Sequence, residues 1–156
     1  MSKPSAIITT LEDCPQWLDR SLAKGYWEAD YFLQSLHLQD ERKMRFRFEQ
    51  PDLELQQQLD HWAIDTFAII TAFNPGSVLL PLDENLGRHH QLQESLFPHC
   101  KMLRDAIGQA SDGTWQEQGF WALDIDLEQA AAIGSSFGQL AIVCWARGNP
   151  AALWWL

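Results

Sequence analysis

A short apolar run, Phe67 to Ile70, breaks abruptly into Asn74-Pro75-Gly76-Ser77. The run is rich in β-branched and aromatic residues, so 66–73 reads as a buried strand. Pro75 cannot donate to a sheet ladder, and Gly76 admits backbone that other residues avoid, so the strand must end in a tight polar loop. Loops held at strand ends are where a rigid fold presents chemistry.

The other patterns supply partners for that strand. Pro15 opens an expected helix carrying Trp17, Leu18 and Leu22, ended by Gly25. A strand is expected from about Asp30. Over 43–48, Met44, Phe46 and Phe48 alternate with Lys43, Arg45 and Arg47. Such alternation gives one apolar and one basic strand face, with 39–42 as the connection of a hairpin. Pro51-Asp52 starts a short helix with Leu53, Leu55, Leu59 and Trp62. Leu82 to Leu96 reads as a helix that Pro98 kinks or splits before it resumes toward Ile107. Thr114–Leu123 reads as a strand, with Gly119 as the mark of a bulge. Asp126 caps a helix, with Gln129 three residues on and Gly138 at its end. Leu140–Ala146 and 152–156 close the chain as strands around the Gly148-Asn149-Pro150 turn. The expected fold is α+β: a hairpin and three to four packed helices on a single mixed sheet. Residues 1–10 read as a loose leader and 11–156 as one domain.

Charge and composition exclude several roles. The chain has 156 residues and a net charge of −10. So acidic a surface argues against nucleic acid, whose phosphates need Lys and Arg, and against anionic lipid. It permits a cationic ligand. No apolar run reaches the roughly 20 residues of a bilayer span, so no membrane insertion is expected. Three unpatterned Cys and no secretory segment point to a reducing cytoplasm. His89 and His90 are adjacent on a helix and diverge by about 100°, so they do not chelate one ion, and neither metal nor cofactor is expected.

Four blocks carry a resemblance. The run Ile70-Thr71-Ala72-Phe73-Asn74-Pro75-Gly76-Ser77 is followed by Asp83-Glu84-Asn85, Arg88 and Leu92. Trp115-Gln116-Glu117, Phe137-Gly138-Gln139 and Ala141-Ile142-Val143 come after it in order. Together they resemble a bacterial family catalogued as domain of unknown function 3293. Two departures stand out: Val78 occupies a position commonly basic or polar, and Gln118-Gly119-Phe120 lacks a common Ser. The resemblance implies an identity for the domain and no activity.

The polar residues of the blocks are Thr71, Asn74, Ser77, Asn85, Arg88, Glu117 and Gln139. Several fall at element ends, and amides with a hydroxyl and one carboxylate suit a neutral or cationic polar ligand. The same residues also suit a purely structural network that fixes the loop. Three readings stay open. One is a binding or regulatory module with a polar pocket for a small molecule. Another is a protein-interaction factor, with Trp154 and Trp155 as aromatic anchors. The third is a weak hydrolase-type enzyme with Glu117 as general base.

Overall fold

Alternation along three central strands decides how the molecule is layered. The computed structural model describes residues 5–50 and 52–156. In β4 (Thr66–Thr71), Phe67 and Ile69 enter one buried cluster while Ala68 and Ile70 enter another. In β6 (Gln116–Leu123), Trp121 and Leu123 join the first cluster and Phe120 and Ala122 the second. In β7 (Ala141–Ala146), Val143 joins the first and Ile142 the second. Strands buried on both faces read as continuous apolar runs, which is how β4, β7 and the second half of β6 look in the sequence.

Helices cover each face. On the first lie α1 (Arg20–Glu28), through Ala23 and Trp27, and α2 (Leu53–His61), through Leu55 and Leu59. On the second lie α3 (Leu82–Leu96), through Leu92 and Leu96, and α4 (Leu127–Ser136), through Ala130 and Ile133. Asp19, Asp52 and Asp126 cap α1, α2 and α4, each carboxylate accepting a backbone N–H three residues on. The first face is the aromatic one. Trp27 stacks on Phe48 with ring centroids 4.1 Å apart, and Phe67 meets Trp121 edge to face.

The remaining strands are β1 (Ala6–Ile8), β2 (Asp30–Gln34), β3 (Lys43–Phe46), β5 (Met102–Gln109) and β8 (Ala152–Trp155). The sheet runs β1-β8-β7-β4-β6-β5-β2-β3. Every pairing is antiparallel, so the sheet is not mixed as expected. Part of the cause is local: Ala110 N–H bonds Trp115 O in the turn joining β5 to β6, and so short a link permits only antiparallel neighbours.

Three further expectations change. Residues 6–8, within the expected loose leader, pair with β8, and Ile8 is buried. Residues 1–4 lie outside the described residues. Gly25 falls inside α1 and does not end it. The helix of 82–96 does not resume after Pro98; residues 102–109 form β5, between β6 and β2. The basic face of β3 is partly neutralised, since Arg45 and Arg47 both pair with Asp30. Among the described residues no helix is long and apolar enough to cross a membrane.

Candidate functional site

The loop after β4 is built on left-handed backbone. Asn74 has φ 49° and ψ 61°, and Gly76 and Ser77 both have φ 63°. Asparagine is among the few residues that enter this region at small cost. Its side chain then holds the loop. Asn74 Oδ1 accepts from Leu80 N–H at 3.0 Å and from Asn85 Nδ2 at 2.9 Å. Asn74 N–H in turn donates to Asn85 Oδ1 at 2.9 Å. Backbone N–H groups therefore fix which end of each amide is the oxygen. Asn85 is buried in the first turn of α3, with its remaining donor on Leu80 O.

Most of the expected site residues are consumed in the same framework. Thr71 Oγ1 donates to Gln118 O at 2.6 Å and accepts from Phe73 N–H at 3.0 Å. Arg88 donates through Nε to Ala72 O at 2.8 Å, and its Nη2 bonds Phe137 O. Gln139, also buried, donates to Phe73 O at 3.1 Å. Gly76 N–H bonds Gly138 O at 2.9 Å. Gly138 has φ +73°, and a Cβ there would stand 2.9 Å from Pro75 Cβ. The end of α4 thus grips the loop by backbone and by close approach together.

Three of the expected residues, Asn74, Ser77 and Glu117, face an open space. Fixing Asn74 Oδ1 against Leu80 aims Nδ2 at Glu117 Oε2, 3.1 Å away. Ser77 Oγ shares a 3.1 Å hydrogen bond with the Tyr26 hydroxyl. Between α1, the loop and the start of β6 lies a pocket of about 350 Å³ lined by Tyr26, Asn74, Ser77, Leu79, Trp115 and Glu117, with Leu22 at its side. Tyr26 and Trp115 were missed among the candidates. Tyr26 looks like helix packing, and only the folded chain sets it across from β6. Trp115 carried a signal: two residues before Glu117, it falls on the same side of an extended strand.

Electrostatics single out Glu117. Burial pushes its carboxyl up to about 7, and the Asn74 amide opposes that rise. Among the described residues nothing donates to its second oxygen, and no Lys, Arg or His lines the pocket. Burial also raises Tyr26, and the nearby Glu117 charge adds to the rise, so its phenol stays protonated and is no base toward Ser77. A carboxyl near 7 can give or take a proton at neutral pH. Among the described residues, no three His, Cys, Asp or Glu side chains stand together as a metal would require.

The C-terminal tryptophans divide between the two faces. Trp155 is buried and meets Tyr26 edge to face at 5.7 Å, so it backs the pocket wall and offers no free surface. Trp154 is half-buried against the second cluster. Exposed apolar side chains elsewhere include Leu79, which lines the pocket, with Val78 and Leu82 close to it in the chain.

Residues 70–142 match the family model described as Protein of unknown function (DUF3293). The matched span runs from the end of β4 to the start of β7 and contains Asn74, Ser77, Asn85, Arg88, Glu117 and Gln139. Neither the curated proteins nor the solved structures give a match.

Proposed function

We propose, for this chain whose residues 70–142 match the model of a family of unknown function (DUF3293), a role as a binding module for a small ligand. The ligand presents a positive charge or a hydrogen-bond donor to Glu117. One observation carries this reading: a half-buried carboxylate has one oxygen held by Asn74 and the other open to an aromatic pocket without a cation. A buried charge left without a partner is costly, so a donor supplied by a ligand is favoured there. The Tyr26 and Trp115 rings beside it add attraction for a cation. Asn74 acts as the residue that orients Glu117, while Asn85, Arg88, Gln139 and Thr71 hold the loop.

A thermal-shift screen of cationic, neutral polar and anionic small molecules tests this. Cationic or donor-rich compounds raise the midpoint of the wild type and leave Glu117→Gln unchanged. A ligand at 100 times its Kd adds about 2.7 kcal/mol, well within reach of such a screen. Preference for anions, or equal shifts in both proteins, contradicts the reading.

A second reading rests on Val78, Leu79 and Leu82, which are 63, 82 and 62% exposed. Apolar side chains this open, with Leu79 lining the pocket, suit a protein partner that covers the ligand. Replacing all three with Ser removes that contact without touching Glu117.

A further inference from the structure

The pocket continues inward. Behind it, between α1 and the first face of the sheet, lies a narrower chamber of about 40 Å³. Tyr26, Trp115 and Glu117 line both spaces and so form the neck between them. The chamber exists because small residues stand where large ones would fill it. Ala106 and Gly108 on β5 and Ala141 on β7 line it, as does Gly119 on β6, where a Cβ would instead stand 2.5 Å from Ile70 O. Ala106 and Gly119 are direct cross-strand partners, and Gly108 stands opposite Glu117. The one hydroxyl on the β4 side, Thr71 Oγ1, is already spent on Gln118 O. The Tyr31 hydroxyl donates to Tyr26 O at 2.7 Å. A polar group placed here would therefore be left unpaired.

We infer that the ligand is a small primary amine with a short unbranched apolar tail, the ammonium on Glu117 and the tail in the chamber. This rests on the reading of the outer pocket as a ligand site. The size follows from the volume. One water-sized sphere occupies about 10–15 Å³, so the chamber holds about three such spheres, room for a tail of no more than about two or three carbons. A branched or bulky tail does not pass the aromatic neck, and a longer one has nowhere to go. Each methylene removed from water is worth about fourfold in affinity.

Gly108 gives the sharpest variant. A Cβ there would sit 3.6 Å from the Tyr31 ring, an ordinary contact, and its φ is not in the left-handed region, so Gly108→Ala keeps the fold. The experiment is an NMR titration at pH 8 with methylamine, ethylamine, n-propylamine, n-hexylamine and n-propanol, on wild type, Gly108→Ala and Glu117→Gln. Affinity should rise about fourfold per methylene up to propylamine and then stop rising or fall. Gly108→Ala should weaken propylamine by about fourfold or more and leave methylamine unchanged. Propanol should bind at least about tenfold more weakly than propylamine, because a charged partner strengthens the hydrogen bond. Affinity independent of chain length, with binding still lost in Glu117→Gln, overturns the tail and leaves the outer pocket standing. Propanol binding as well as propylamine overturns the ammonium. Absence of binding by every amine overturns this inference. If the wider screen of cationic and donor compounds is also blank, the outer pocket falls with it.

Discussion

Asn74 donates its side-chain amide to Glu117 Oε2 across 3.1 Å while Leu80 N–H and Asn85 Nδ2 hold its carbonyl. One side chain thereby shapes the loop and points the pocket's single acid. Replacing Asn74 with Ala removes those bonds and leaves a non-glycine residue without local compensation at φ 49°. The expected loss is about 2–4 kcal/mol in urea unfolding, from unpaired groups and backbone together. Asn74→Gly loses the same hydrogen bonds without the backbone cost and should be milder by about 1 kcal/mol. Equal losses in the two variants would show that the left-handed backbone carries no energy here.

Stability should fall as pH rises from about 4.5 toward neutrality. Glu117 is ordinarily an acid of 4.5 and is pushed up to about 7 in the fold. Between those values the folded state keeps a proton that the unfolded state releases, so raising pH favours unfolding. The contribution is full below 4.5 and gone above about 7. The groups facing it, Tyr26 on α1 and Tyr31 on β2, are both raised and stay protonated throughout. A complete displacement of this size is worth roughly 3 kcal/mol, and the part exposure of Glu117 brings it to about 1–2 kcal/mol. Urea midpoints of wild type and Glu117→Gln from pH 5 to 8 check this. The wild type loses stability relative to the variant, and a constant difference would mean that Glu117 titrates normally.

The grip of α4 on the loop has its own control. Gly138 and Gly148 both have positive φ, but only at Gly138 does a Cβ collide, 2.9 Å from Pro75. Gly138→Ala should cost about 1–3 kcal/mol more than Gly148→Ala, the difference being the clash. Thermal unfolding of the two variants measures it directly. Matched losses would show that the loop gives way freely at Pro75.

Removing residues 153–156 should do more than delete two aromatic rings. Strand β8 joins β1 to β7, and Leu153, Trp155 and Leu156 are buried. The truncated chain is expected to lose its cooperative thermal transition, because large apolar side chains contribute about 1.5–3 kcal/mol each. A truncated chain that unfolds as cooperatively as the full one would return Trp154 and Trp155 to the role of surface anchors.

The central strands were legible because burial on both faces leaves a mark in the sequence itself, as at Phe67–Ile70 and Ala141–Cys144. Helix starts were legible at Asp52 and Asp126, but α1 starts at Arg20 behind Asp19 and not at Pro15 as expected. Strand β5 was not. Arg104 and Gly108 blur its alternation, and its place depends on neighbours from distant parts of the chain. The same holds for the site. Asn74, Asn85 and Glu117 stand in recognisable blocks, but whether an amide faces a cavity or a carbonyl is a matter of where its partners fold. Tyr26 comes from α1, 51 residues from Ser77, and no local pattern joins them.

The most direct measurement follows the Glu117 side-chain carboxyl by carbon-detected NMR across pH 4 to 9, with and without saturating n-propylamine. The free protein should titrate with a midpoint near 7. Bound amine should lower that midpoint by about one pH unit or more, because a cation favours the ionised acid. A free midpoint near 4.5, the ordinary value, or one that a bound amine leaves in place, would contradict Glu117 as the group that receives the ligand.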